Sequence, residues 1–394
     1  MSILGLDIGG ANIKGADETG RTVSRPFAMW KRHEQLADEI VSILAEFPQT
    51  ERLAVTMTAE LADCFATKSE GVRFILAAVV ASAGSASVEA WTTAGRFVSA
   101  SEAASRPMEV AAANWHALAT WCGQMALSKR EPGERKAPLT LTLSPEDGGE
   151  GTRRKTRGDD AVIDPSLVSR LSAFDSSCSP LLIDIGTTTT DIIPLADGRP
   201  VARGLTDVGR LQTGELSYSG VKRTPVFALA HSVPFRDGYC PLAAELFATT
   251  LDVYLLLGGI AEDATDIETA NGKPATKAAA YDRLARALCC DRDEVTFDEA
   301  VQIARFLADV QRQRLAGSLE RVAARFETPI ETIIISGSGS FLARRLIAEN
   351  RRTTAARIVS LDDQLSPGIA EAACAYAVAK LLESMLVDGH ACLS

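Results

Sequence analysis

Residues 2–8 alternate between apolar and small or polar positions and run directly into Gly9-Gly10, which predicts a strand entering a tight turn; 12–16 resumes as a second strand. Leu36, Ile40, Ile43, Leu44 and Phe47 recur at helical spacing, so 34–47 reads as a helix and 52–58 as the next strand. The apolar run 71–83 fits a helix or a buried strand, and period alone does not separate the two. An Ala-rich helix over 110–126 carries Asn114, Trp115 and His116. Further on, strand 181–185 meets Gly186 and four threonines. Helices are expected over 243–257 and 277–290, and a long one with one break over 296–326. An Ile-rich strand over 331–336 ends in Gly337-Ser338-Gly339 before a helix over 341–349. The last helix is expected over 366–385, with Pro367 in its first turn.

Between 128 and 160 this patterning stops. Basic residues from Lys129 to Arg157 alternate with Gly and Pro, and large apolar residues are almost missing. Such a stretch cannot bury enough surface to offset its ordering entropy, so a disordered insertion is expected; its charge would otherwise suit a binding tail. The resulting organisation is a domain over 1–127, the insertion over 128–160, and a domain over 161–394 whose last helix packs back on the first domain.

Composition narrows the class. The 394 residues are 46% hydrophobic and 23% charged, ordinary for a globular chain able to bury a full core without disulfide or metal staples. A net charge of −10 and a pI near 5.1 argue against nucleic acid as a partner. A small anion is not excluded, because Mg²⁺ and backbone N–H groups neutralise charge locally. None of the eight cysteines forms a C-x-x-C pair, which reads as a reduced, cytoplasmic chain. No signal-peptide pattern opens the sequence, and its apolar runs are too short to span a bilayer, so no membrane partner is expected. His231, Asp237 and Cys240 do not fall at a metal-ligand spacing, and a structural role is expected for them.

The candidate chemistry comes from a repeat. Leu4-Gly5-Leu6-Asp7-Ile8-Gly9-Gly10-Ala11-Asn12-Ile13-Lys14 is similar to Leu182-Ile183-Asp184-Ile185-Gly186-Thr187-Thr188-Thr189-Thr190-Asp191-Ile192-Ile193. Each is an apolar strand with one Asp, a turn of small residues, and a second apolar strand. Backbone N–H groups of such turns can point at phosphate oxygens, and the Asp can hold Mg²⁺ through water. One copy is weak evidence; two predict duplicated domains facing one another across a cleft. The Ser336–Gly339 turn would supply a surface for a ribose and base. Plainer readings stand beside these: turn-capping carboxylates for Asp7 and Asp184, a solvated Lys14, simple β-propensity for the threonines, and a satisfied core amide for Asn114. Glu60 and Asp63 are three apart and would share a face if helical. Gly337 and Gly339 are first of all backbone-permissive positions.

These three motifs, in this order, resemble the actin-like ATPase superfamily, which includes sugar kinases, actin and the hydantoinase and oxoprolinase group. The resemblance implies an α/β fold of two ribonuclease-H-like domains with an interdomain cleft, the helices 110–126 and 366–385 connecting them. Further stretches are similar to proteins linked to the tetrahydromethanopterin one-carbon pathway: Thr56–Phe65, Ala113–Trp115, Gly214–Pro225, Glu245–Tyr254 and Thr269–Pro274. That group includes a methanofuran-building synthase, which joins an aminomethylfuran diphosphate to a tyramine-type phenol and releases diphosphate. The resemblance therefore implies an ether-forming transferase acting on a phosphorylated small molecule and a phenolic amine. An ATP-dependent kinase or amidohydrolase is the alternative, and a non-catalytic nucleotide switch a third. It places Asp7 and Asp184 on Mg²⁺, Gly9, Gly10, Asn12, Gly186, Thr187 and Thr188 around the diphosphate, and Lys14 on a phosphate. Glu60 or Asp63 would be the base or bind the substrate's amine. Lys222 and Arg223 would hold an acidic tail of the phenol, and Tyr218 would stack on a ring or serve as a sheet residue. Gly337 and Gly339 would face a nucleotide, with ATP itself left open, and a homo-oligomer is compatible with all of this.

Overall fold

The computed structural model describes residues 2–128 and 180–391, so the segment expected to be disordered lies outside the described residues except for Ser128. The first sheet contains β1 (Ile3–Ile8), β2 (Asn12–Asp17), β3 (Thr22–Pro26), β4 (Arg52–Met57), β5 (Ser87–Trp91) and β6 (Phe97–Ser99), in the order β3-β2-β1-β4-β5-β6. β1 pairs antiparallel with β2 and parallel with β4, and β4 pairs parallel with β5. The second sheet contains β7 (Leu181–Ile185), β8 (Thr190–Ala196), β9 (Arg199–Pro200) and β10 (Leu216–Ser217). After a separate hairpin, β11 (Ser232–Phe235) and β12 (Gly238–Pro241), it is completed by β13 (Thr332–Ser336) and β14 (Arg357–Ser360). Its order is β10-β8-β7-β13-β14, with β9 on β8. β7 pairs antiparallel with β8 and parallel with β13, and β13 parallel with β14. Five strands of the second sheet repeat the arrangement of β3-β2-β1-β4-β5, with no counterpart of β6, and both halves are ribonuclease-H-like α/β units.

Two helices join the units. The helix Asn114–Ser128 puts Trp115, Leu118, Ala119 and Cys122 against Leu182, Ile193, Leu195 and Ile334 of the second sheet. The last helix, Ala373–Ala391, puts Val378, Ala379 and Leu382 against Ile3, Ala54 and Trp91 of the first. Its backbone crosses β1 so closely that a Cβ on Gly5 would overlap the Ala375 carbonyl oxygen. Only glycine fits the motif there, and the reason is packing rather than ligand.

Several elements differ from the sequence pattern at their ends. The run 71–83 is a helix, Lys68–Ser82, started by Thr67, whose hydroxyl accepts from the Glu70 N–H. The helix expected over 110–126 begins only at Asn114, because Ala112 adopts φ 48° and breaks it from the short turn Pro107–Val110. The helix expected over 243–257 is Thr250–Leu257, where Thr249 and Asp252 form a capping box, and 277–290 shortens to Lys277–Arg286. The stretch 296–326 holds one unbroken helix, Phe297–Ala323, and 366–385 is split at Ala372 into Pro367–Glu371 and Ala373–Ala391.

Candidate active site

Asp7 and Asp184 occupy equivalent places near the C-terminal ends of β1 and β7, where open α/β sheets present ligand-binding loops. Across the two hairpins Asp7 pairs with Lys14, and Asp184 with Asp191. Burial pushes the Asp7 carboxyl up to about 6, with the Lys14 charge opposing. Asp184 is pushed up to about 7 by burial first, then by the Asp191 charge; Ser336 and Lys14 oppose, and Asp7 adds to the rise. Asp184 thus feels the charges of both Asp7 and Lys14, and Asp7 feels the same lysine, so the ends of the duplicated hairpins lie near one another. Asp7 Oδ1 is buried without a partner, as is Thr56 Oγ1 of its register neighbour on β4. A carboxylate oxygen stranded beside a second carboxylate lacks only positive charge. A hydrated divalent cation of the Mg²⁺ kind fits that deficit, since it keeps most of its waters and needs few protein ligands. Among the described residues no group of three or more His, Cys, Asp or Glu side chains forms a direct metal cage, and His231, Asp237 and Cys240 make none.

The turns beside these carboxylates carry the expected small residues. The Gly9 N–H is spent on the Asn12 carbonyl at 2.9 Å, and the Gly186 N–H likewise on Thr189 at 2.9 Å. Gly10 has nothing within 4 Å of where a Cβ would stand, so its Cβ side is open space. Thr187 and Thr188 are half-buried, their hydroxyls 3.5 Å apart. Lys14 donates to the Glu371 carbonyl at 2.8 Å, which ties the first hairpin to the last connection. Gly337 and Gly339 pack on the end of β7: Gly337 has φ 86°, and the Gly339 N–H donates to the Ile185 carbonyl at 2.8 Å. Their smallness is used up in that packing.

Glu60 and Asp63 part company. Glu60 lies in the 3₁₀ turn Ala59–Leu61 after β4, 1% exposed, with Oε2 unpartnered. Asp63 falls beyond that turn on the exposed surface, so the shared helix face does not exist. Burial pushes Glu60 up to about 7, opposed by its own backbone N–H and then the Lys68 charge, with the Asp207 charge adding to the rise. Lys68 pairs at 2.8 Å with Asp207, which joins the two units, and Asp207 accepts from Arg210 at 3.0 Å. Arg210 also pairs with Asp191 and stacks on Trp115 at 4.5 Å. An ionic chain thus runs from the Glu60 neighbourhood to the partner of Asp184. Sequence reading missed its members. Asp191 stood inside the repeat and its cross-strand place opposite Asp184 follows from the hairpin, but Lys68, Asp207 and Arg210 carry no local signal.

Other expectations find different surroundings. Lys222 pairs with Asp266 at 2.5 Å and Arg223 with Glu268 at 3.3 Å, so both cations already have carboxylates. Asn114 reaches Cys374 Sγ at 3.9 Å, under the same acidic pair, and burial together with the Asp7 and Asp184 charges holds that thiol protonated. Tyr218 is not packed into a sheet.

Two α/β units, each opening on a strand–Asp–turn–strand hairpin, define a two-domain protein of the actin-like fold class. The chain belongs to the hydantoinase/oxoprolinase family, whose model matches residues 51–134 and 167–383. It is similar to the (4-{4-[2-(gamma-L-glutamylamino)ethyl]phenoxymethyl}furan-2-yl)methanamine synthase of Methanocaldococcus jannaschii, 30% identical over 390 residues covering 98% of this chain and 99% of that one. The enzyme of the same name from Methanococcus vannielii is 31% identical over 213 residues, 54% of this chain and 94% of its own. Among solved structures, nucleotide-free acetone carboxylase aligns with a TM-score of 0.47 and 9% identity, over 93% of this chain and 51% of that one. Among the described residues no helix is long and apolar enough to cross a membrane.

Proposed function

We propose that this protein is a transferase that forms the aryl ether of a methanofuran-type precursor. It joins the methylene carbon of an aminomethylfuran diphosphate to the phenol oxygen of a tyramine-type acceptor. The name of its full-length relatives describes such a phenoxymethylfuran amine, with a γ-glutamylated arm on the phenol. What supports the reading most is the duplication itself: Asp7 and Asp184 stand at equivalent places on matching hairpins, with Lys14 opposite Asp7 and its charge felt by both.

In the proposed reaction the C–O bond to diphosphate breaks, the phenol oxygen bonds to the freed methylene carbon, and the phenolic proton goes to a base. Asp7 and Asp184 would hold Mg²⁺ through water, and the ion when bound neutralises charge on the departing diphosphate. With the Gly9 and Gly186 N–H groups spent on closing the turns, the Gly10–Asn12 and Thr187–Thr188 segments would offer the donors to the same oxygens, preorganised by those closing bonds. Glu60, with an unpartnered oxygen and a proton affinity near neutrality, is the candidate base. Asp63, exposed in its turn, is a poor one. No step calls for ATP, and the Gly337–Gly339 turn is accounted for by packing on β7.

The test is product analysis by mass spectrometry. Purified protein, Mg²⁺, aminomethylfuran diphosphate and tyramine or γ-glutamyltyramine should give the ether without nucleotide. ADP formed in proportion to a small acceptor, with no ether, would replace this reading by a kinase or amidohydrolase.

A further inference from the structure

Tyr218 is 60% exposed, yet the backbone that follows it is held by side chains from several elements. The two residues that follow it, Ser219 and Gly220, are buried and receive polar side chains from several elements. Thr190 Oγ1 on β8 donates to the Ser219 carbonyl at 2.7 Å. Gln311, fully buried in the long helix, donates from Nε2 to Ser219 Oγ at 2.9 Å and to the Gly220 carbonyl at 2.8 Å. The same carbonyl accepts from Thr250 Oγ1 at 2.9 Å. Gln311 is itself held by the Tyr254 hydroxyl, which donates to Oε1 at 2.7 Å. The Gly220 N–H is taken by Thr224 Oγ1 at 3.0 Å.

All this ordering is directed at the second turn. A Cβ on Gly220 would stand 2.5 Å from both Thr187 C and Thr188 N, so the two backbones touch with no room between them. Continuing the β8–β10 register, in which Ser217 pairs with Thr190, sets Tyr218 beside Thr189, next to the candidate diphosphate turn. Buried polar side chains are costly unless their hydrogen bonds are satisfied, and a satisfied network stiffens the backbone it holds. Here they fix the stub of an exposed aromatic residue one step from where a phosphate would sit.

We propose that Tyr218 is a specificity-determining residue: an aromatic platform, carried on a fixed backbone, on which the planar ring of a substrate, furan or phenol, stacks beside the Gly186–Thr188 turn. With the backbone held, only the two side-chain torsions of the ring are left to order when a second ring packs on it. Gln311 is the positioning residue beneath it. The assignment rests on the phosphate reading of that turn, and its test separates the two.

Wild type, Tyr218→Phe and Tyr218→Ala would each be titrated with two probes. Inorganic diphosphate with Mg²⁺, followed by calorimetry, reads the turns; tyramine and furfurylamine, followed by saturation-transfer NMR, read the ring subsite. Tyr218→Ala should weaken one of the ring compounds by about tenfold, Tyr218→Phe by less than about twofold, and neither should alter diphosphate binding. Ring binding that is Tyr218-dependent in a protein that ignores diphosphate would sink the phosphate reading and leave the platform standing. Equal ring binding by Tyr218→Ala and wild type would overturn the platform. So would a parallel loss of diphosphate, which would mean that the substitution acts by distorting the turn.

Discussion

A Cβ on Gly337 would stand 2.5 Å from Asp184 Oδ1, so the turn after β13 and the acidic end of β7 are fitted to one another. The fit locates Asp184 from the side opposite to its hairpin partner Asp191. It also explains why a glycine with φ 86° closes a strand whose preceding residues are all apolar or hydroxylated.

Gly337→Ala should therefore cost about 1–3 kcal/mol from the left-handed backbone alone, and should displace the Asp184 carboxylate as well. The expected outcome is a lowered melting temperature with condensation activity down about tenfold or more. Activity retained at the wild-type level would show that Asp184 does not need this placement.

Gly10 gives the complementary case. A Cβ there meets nothing within 4 Å, so Gly10→Ala should leave stability within about 0.5 kcal/mol. If Gly10 lines the diphosphate site, the added methyl group occupies ligand space, and diphosphate affinity should fall about tenfold. Calorimetric titration of the variant, alongside a thermal melt, checks both halves.

Asp7→Asn and Asp184→Asn each remove one of two half-buried carboxylates while keeping the shape of the side chain. Both should fold and lose kcat by about 10²-fold or more, together with the dependence of rate on Mg²⁺. A variant that keeps the wild-type Mg²⁺ response would take that residue out of the metal site.

For Glu60 the proton affinity in the fold is raised from the model-compound 4.5 to about 7, chiefly by burial. As the base it would act ionised, so the rate should climb with pH through about 7. Glu60→Gln should abolish that limb and lower kcat by about 10²–10⁴-fold. The stability sign is opposite. A raised carboxyl contributes fully below 4.5, and the contribution is lost as pH rises through about 7. The variant should accordingly melt no lower than wild type at pH 8. An unchanged pH–rate profile would remove Glu60 from the chemistry.

His116 supplies a pH effect away from the site. It is buried, accepts from Trp91 Nε1 at 3.2 Å, and is held down to about 4, against 6.5 for a free imidazole. The unfolded chain therefore binds this proton more readily than the fold does. The contribution is present above about pH 6.5 and disappears as pH falls toward 4, amounting to about 3 kcal/mol. Urea midpoints at pH 7.5 and 4.5 should differ by less in His116→Leu than in wild type.

The sequence made the equivalent strand positions of Asp7 and Asp184 legible because duplication writes the same short pattern twice, and each copy is local: strand, carboxylate, small turn, strand. Secondary structure was legible in extent where periodicity was long, as in Phe297–Ala323, although the break expected there does not occur, and poor at ends decided by single residues, such as the left-handed Ala112 or the Thr249 cap. Glu60 and Asp63 looked equivalent because spacing cannot show that one is folded under Ala112 while the other faces solvent. The chain Lys68–Asp207–Arg210–Asp191 was invisible for a related reason. Its first link joins residues of different units, and nothing near either one marks it.

The central claim, a cleft that releases diphosphate as it forms an ether, is tested most directly by phosphorus NMR of the complete reaction. The protein would be mixed with Mg²⁺, aminomethylfuran diphosphate, a tyramine-type acceptor and ATP in one tube. The account predicts inorganic diphosphate appearing in step with the ether while the ATP resonances stay unchanged. ADP and orthophosphate growing in, with the furan diphosphate untouched, would contradict it.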